Sequence, residues 1–227
     1  MFLDPTFILL IPAIILAFWA QAQVNSNFSK YSRVSSTFGM TGAGLARFLL
    51  DNAGLRDVEI EAVRGKLTDH YDPRRRKVRL SESTMNSKSI AALGVVAHEV
   101  GHAIQHSRQY TPLVLRNMFA PVASFGSSLS WIIFIVGLLF FSPLMIRLGI
   151  LLFLSVVLFA LITLPVEFNA SKRAKSQLAA MGMPAGELAA VDKVLRAASM
   201  TYIASTAMAI FQLLRMVLLA GVFGRRD

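Results

Sequence analysis

The sequence predicts a mainly α-helical membrane protein: transmembrane helices plus a water-facing domain with a small β-hairpin or short sheet next to one histidine-bearing helix. Three observations predict it. Of 227 residues, 55% are hydrophobic and only 16% are charged, whereas an ordinary soluble domain carries about 25% charge. The apolar residues gather into long blocks near both ends and in the middle of the chain, and mean hydropathy is +0.56. Between those blocks the chain turns polar and shows both strand and helix periodicities.

Taken in order, Phe7 to Ala20 is almost uninterrupted apolar sequence, and Phe2, Leu3 and Ala22 extend it to a span near residues 3–23. Pro12 is tolerated in a membrane helix where freed backbone groups find partners. A signal peptide is the competing reading, opposed by the lack of basic residues before the apolar stretch. Residues 24–118 form the first part of the water-facing domain. Ser35-Ser36-Thr37 and Gly39 mark a loop. Thr41 is placed to cap a helix from Gly42 to Asn52 that sets Leu45, Phe48 and Leu49 on one side, and Gly54 can end it. Residues 58–63 alternate as a half-buried strand does. Gly65, the turn signal Asp72-Pro73-Arg74 and Lys77-Val78-Arg79-Leu80 predict two further short strands joined as a hairpin. Ser87 or Ser89 then caps a long helix.

The block from Phe119 to Phe168 is too long for one crossing. Ser142-Pro143 and Arg147 divide it into spans near 120–141 and 144–166, a transmembrane hairpin over 119–166. Residues 167–200 form a helical second part of the polar domain. Residues 201–227 hold a last apolar segment that contains Gln212 and Arg215. A charge inside a span is costly, so this segment either crosses or lies at the interface.

The first 23 residues carry no Lys or Arg, residues 24–118 carry fourteen and residues 169–200 carry five. Both basic blocks fall on one side if the first segment crosses once and the hairpin twice, and the positive-inside rule makes that side the cytoplasm. Arg225 and Arg226 run against the rule if the last segment also crosses. The formal net charge of +10 points to anionic lipid headgroups of the bilayer rather than nucleic acid, since the basic residues flank apolar segments and form no nucleic-acid motif. With no cysteine in the chain, disulfides, thiolate metal sites and a cysteine nucleophile are excluded.

Residues 98–102 read His-Glu-Val-Gly-His within the long helix. Positions four apart share a helix face, so His98 and His102 can present two imidazoles to one metal ion. Glu99 lies about 100° round the same turn, placed to reach a metal-bound water without being a ligand. That is the pattern of a catalytic zinc site, which needs three protein ligands and one exchangeable position. The longer pattern with a third histidine is absent. His106 sits one turn beyond His102, about 5–6 Å along the helix, and is a poorer third ligand than a group from another segment. Glu167 is the better candidate: it follows an apolar run where a carboxylate is expensive without a partner. Pairing with Lys172 or Arg173 is its alternative role. His70, Tyr71 and Arg79 are candidate oxyanion donors. The hairpin's free edge suits an extended peptide.

The runs Leu67-Thr68-Asp69-His70-Tyr71-Asp72-Pro73, Val78-Arg79-Leu80-Ser81, residues 97–106 and Glu167-Phe168-Asn169-Ala170-Ser171-Lys172-Arg173-Ala174 resemble the YugP-type neutral zinc metallopeptidases of bacterial membranes over nearly the whole chain. More distantly the core is similar to the HtpX protease and the CAAX prenyl endopeptidase. The resemblance implies a zincin-like catalytic domain, one catalytic Zn2+, a peptide or protein substrate and a multi-pass protein of the bacterial inner membrane. It also implies that a glutamate from a later helix, here Glu167, completes the zinc site. Those relatives usually carry Asp four positions later, where this chain has Ser171. A non-enzymatic metal-binding scaffold is the alternative function, opposed by Glu99, which metal binding alone does not require. A channel or transporter is disfavoured by the scarcity of polar residues in the spans.

Overall fold

In the computed structural model of the chain, residues 5–223 are described. The ends of two sequence expectations, residues 3–4 of the first span and the Arg225–Arg226 tail, lie outside them. The chain forms two compact units. One holds the residues up to Ala20, Pro112–Pro165 and those from Thr201 onward; the other holds Gln21–Thr111 and Val166–Met200.

A 3-10 turn, Pro5–Leu10, leads into α1 (Ile11–Tyr31). Pro12 is the second residue of α1, a position whose N–H has no intrahelical partner in any helix. The first unit also takes most of α5 (Thr111–Leu139), the first part of α6 (Pro143–Ala180) and the end of α7 (Ala185–Phe223). Among the described residues four helices are long and apolar enough to cross a membrane. Phe134, Leu138, Phe153, Val157, Ala209 and Met216 are buried among them, while Phe18, Phe125, Leu151 and Leu218 point outward. Glycines let α5 and α6 approach closely. A Cβ on Gly149 would meet Phe134 Cβ at 2.7 Å, and one on Gly137 would meet the backbone N of Ile146 at 2.7 Å. Arg215, the costly charge of the last apolar segment, donates from Nε to Thr6 Oγ1 (3.2 Å) and lies over the rings of Phe7 and Trp131.

In the second unit, α2 (Gly42–Asn52) begins where Thr41 accepts from Gly44 N–H, a cap worth about 1 kcal/mol. It ends against Gly54, whose φ of +75° is glycine territory. Three strands follow: β1 (Glu59–Val63), β2 (His70–Asp72) and β3 (Lys77–Ser81), in the order β1-β3-β2. β2 and β3 form the expected antiparallel hairpin, with Tyr71 opposite Val78. β1 pairs with β3 in parallel, Ile60 beside Val78, because the chain crosses over to lay β2 on the far edge. Asp69 pins the hairpin by accepting from Ser81 N–H and from the hydroxyls of Ser81 and Thr84. Thr84 belongs to a short helix, α3 (Glu82–Met85), that the sequence reading passes over. Ser89 caps α4 (Ile90–Ser107), its side chain accepting from Ala92 N–H.

α4 is the centre of this unit. Leu93, Val96, Ala97, Val100 and Ile104 pack with Leu45, Leu49 and Leu50 of α2, Val78 and Leu80 of β3, Leu178 of α6 and Val191 of α7. Burying each large aliphatic side chain contributes about 1.5–3 kcal/mol. The apolar spans and the polar helical segments that flank them prove to be parts of single helices: α6 runs through Pro165 to Ala180, and α7 starts at Ala185 and continues into the last apolar segment. Gly182, with φ +83°, makes the turn between them. Glu187, in the first turn of α7, accepts from Ser36 Oγ and Thr37 N–H.

Candidate metal centre

His98 and His102 lie in the middle of α4, one turn apart, with their Nε2 atoms 3.1 Å from each other. Glu167 reaches them from α6. Its Oε2 is 3.2 Å from His98 Nε2 and 3.5 Å from His102 Nε2, and the residue is only 2% exposed. Among the described residues these three form the one His/Asp/Glu group with metal-holding geometry.

The approach of α6 depends on Gly101, the fourth residue of the motif. A Cβ there would meet the carbonyl oxygen of Ala170 at 2.9 Å. Only a hydrogen at this position lets the backbones meet closely enough for Glu167 to reach the imidazoles.

The donor set passes a direct test against zinc. Two imidazole nitrogens and one carboxylate oxygen are ligands zinc takes with an open fourth position. At bond lengths of about 2.0–2.1 Å, the edge of a tetrahedron is about 3.3–3.4 Å. The three separations of 3.1, 3.2 and 3.5 Å fall around that value.

A second layer of hydrogen bonds orients the imidazoles. His102 Nδ1 lies 3.0 Å from Gln105 Oε1 and His98 Nδ1 lies 3.1 Å from Ser171 Oγ. With Nε2 left free as the ligand atom, each Nδ1–H donates to that neighbour, which fixes tautomer and ring angle together. Ser171 thus occupies the supporting place where the relatives usually carry Asp. Gln105 is fully buried and is itself held, its Nε2 donating to Val166 O (2.8 Å) and Asn169 Oδ1 (3.0 Å). Arg173 Nε donates to the same Asn169 oxygen at 2.7 Å.

Glu99 lies beside the pair. Its Oε2 accepts from the main-chain N–H of Tyr71 at 2.9 Å, which ties α4 to the edge strand β2. Burial raises the Glu99 carboxyl above the usual carboxylate range, against the lowering by His98 and His102.

The remaining sequence candidates are engaged elsewhere. His106 Nδ1 is 2.8 Å from the Tyr71 hydroxyl. Burial lowers the His106 pKa and raises that of Tyr71. Arg79 pairs with Glu61 and Asp72. His70 is exposed, with Nδ1 against Thr68 O. Of the three proposed oxyanion donors, only Tyr71 touches the site, and it does so through its backbone. Sequence reasoning missed Gln105 and Asn169 altogether. A glutamine two residues before the end of α4, in a mostly apolar buried run, is the one signal that marks the first.

A mainly helical membrane protein whose HExxH helix offers two histidines to a glutamate from a second helix has the architecture of a membrane zinc metallopeptidase. The chain belongs to the family described as "Putative neutral zinc metallopeptidase", whose model matches residues 6–221. It is similar to the "Putative membrane protease YugP" of Bacillus subtilis (strain 168), with 51% identity over 212 residues, covering 93% of this chain and 94% of the relative. No solved structure matches it.

Proposed function

We propose that this chain is a zinc-dependent endopeptidase embedded in the bacterial inner membrane, hydrolysing peptide bonds at the cytoplasmic face. His98, His102 and Glu167 hold one zinc ion, and Glu99 is the general base. The observation that carries the reading is the convergence of two Nε2 atoms and one carboxylate oxygen at tetrahedral-edge separations, with a second carboxylate, Glu99, outside that group on the helix of the two histidines. Bound zinc would lower the pKa of a water and polarise the substrate carbonyl. Glu99 accepts the water's proton and passes it to the leaving amine.

Gln105 and Ser171 keep the imidazoles turned, and Tyr71 N–H holds Glu99 in place before substrate arrives. β2 is an end strand of its sheet, and the Tyr71 N–H brings its outer edge to the base. An extended peptide added along that edge runs past the Glu99 carboxylate. The nineteen Lys and Arg of residues 24–118 and 169–200, fourteen and five, against none in the first 23, support the cytoplasmic orientation.

The test is cleavage of quenched-fluorescent peptides by detergent-purified protein, wild type against Glu99→Gln, with zinc measured by mass spectrometry. The variant keeps about one zinc per chain and loses roughly 10²–10⁴-fold in rate, the usual worth of a general acid–base. Equal cleavage by both proteins refutes the mechanism.

A further inference from the structure

An open recess of about 300 Å³ lies between the end of α4 and α6, lined by Ile104, Arg108, Asn169, Lys172, Arg173, Ser176 and Gln177. Three of these carry positive charge, none carries negative charge, and the others offer N–H or O–H donors or, at Ile104, carbon. No ion pair among the described residues involves Arg108, Lys172 or Arg173. Gln177 Nε2 is buried without any hydrogen-bond partner. A cluster of unpaired cations around an orphaned buried donor is complementary to an anion with several acceptor oxygens.

The recess also has a defined place along the chain. Lys172, Arg173, Ser176 and Gln177 follow the apolar run of α6 that ends at Val166. Arg108 closes α4, three residues before α5 begins at Thr111. Lys172 and Arg173 thus follow within two helical turns of an apolar run long enough to cross a bilayer, where cations meet lipid headgroups. Most of the lining surface is carbon, which suits a glycerol ester more than a free inorganic ion.

From this we infer that the recess is a binding site for the phosphate of an anionic phospholipid, held by Arg108, Lys172 and Arg173, with Gln177 as an additional donor. The site does not depend on the peptidase reading, but it touches the same network. Arg173 bonds Asn169, Asn169 bonds Gln105, and Gln105 bonds His102. A headgroup on Arg173 thus sits three hydrogen bonds from a candidate metal ligand.

The test uses the purified full chain in a neutral detergent, titrated with short-chain phosphatidylglycerol, short-chain phosphatidylcholine and inorganic phosphate, binding read by thermophoresis. Phosphatidylglycerol should bind saturably and at least tenfold more tightly than either of the others. Arg108→Gln with Lys172→Gln should weaken it at least tenfold, while Arg74→Gln with Arg75→Gln, an equal charge loss in an exposed turn, should not. Lys172→Gln alone, at an exposed position that folding does not need, should give a smaller loss in the same direction. Equal affinity for phosphatidylcholine overturns the inference, as does equal weakening by the Arg74 and Arg75 changes. Inorganic phosphate binding as tightly as the lipid overturns the assignment to a phospholipid.

Discussion

Replacing Gly101 with alanine tests whether helix contact sets the metal geometry. The new Cβ would stand 2.9 Å from the Ala170 carbonyl oxygen and 3.4 Å from its C and Cα atoms. Ordinary van der Waals contact begins near 3.4 Å, so α4 and α6 must separate by about 0.5 Å at this point. The obstacle is main chain inside a helix, and it cannot swing aside as a side chain can. A metal site tolerates about 0.2 Å in ligand position, and Glu167 lies less than one turn from Ala170 on the same helix. Zinc affinity should fall roughly 10–100-fold, the usual penalty for disturbing ligand support. Overpacking should also cost about 1–3 kcal/mol of stability. Competition with a zinc-buffering chelator measures the first, and thermal unfolding followed with and without zinc measures the second. The double variant Gly101→Ala with Ala170→Gly should be no better, because the clash is with a carbonyl and not with the Ala170 methyl. Unchanged zinc affinity in Gly101→Ala refutes the claim that this contact positions Glu167.

Further variants separate the roles of neighbouring groups. Glu167→Ala should lose most bound zinc under chelator competition while His106→Ala retains it; the opposite pattern moves the third ligand to His106. Gln105→Leu leaves the His102 Nδ1–H buried without an acceptor, which costs about 1–3 kcal/mol, and zinc affinity should drop roughly 10–100-fold; full affinity would mean the ring needs no such partner. Tyr71→Phe removes the hydroxyl bonded to His106 but keeps the main-chain bond to Glu99. It should therefore cost about 0.5–1.5 kcal/mol in unfolding experiments with zinc content unchanged, and a loss of zinc would place His106 at the metal.

Features written in local chemistry were legible from the residues alone. Thr41, Gly54 and the pair Ser87 and Ser89, of which Ser89 is the cap, announced helix ends because capping is a property of one side chain or one φ angle. The β2–β3 hairpin was readable from its turn residues. The parallel pairing of β1 with β3 was not, since alternation marks a strand but says nothing of its neighbour. α3 is four residues long, too short for any periodicity to appear. The continuity of α6 was hidden by Pro165 and by the change from apolar to polar residues at Val166, which together look like a boundary although the helix continues through both.

The site divides in the same way. His98, Glu99 and His102 declare themselves by spacing, and Glu167 by the cost of a carboxylate after an apolar run. Gln105 and Asn169 have ordinary helix-compatible side chains, and only the meeting of α4 with α6 gives them partners. The bond from Tyr71 to Glu99 uses a backbone N–H that every residue but proline possesses, so no choice of amino acid records it.

The distance along the chain between His98 and Glu167, 69 residues, has a consequence for synthesis. A ribosome adding about 5–20 residues per second needs roughly 3–14 s to pass from one to the other, and the whole hydrophobic hairpin emerges in between. On the proposed ligand set, a nascent chain carries the motif histidines for that interval with the third donor not yet made. The hydrolytic centre therefore cannot assemble until the hairpin has left the ribosome, and a chain released early has no complete site with which to damage its surroundings.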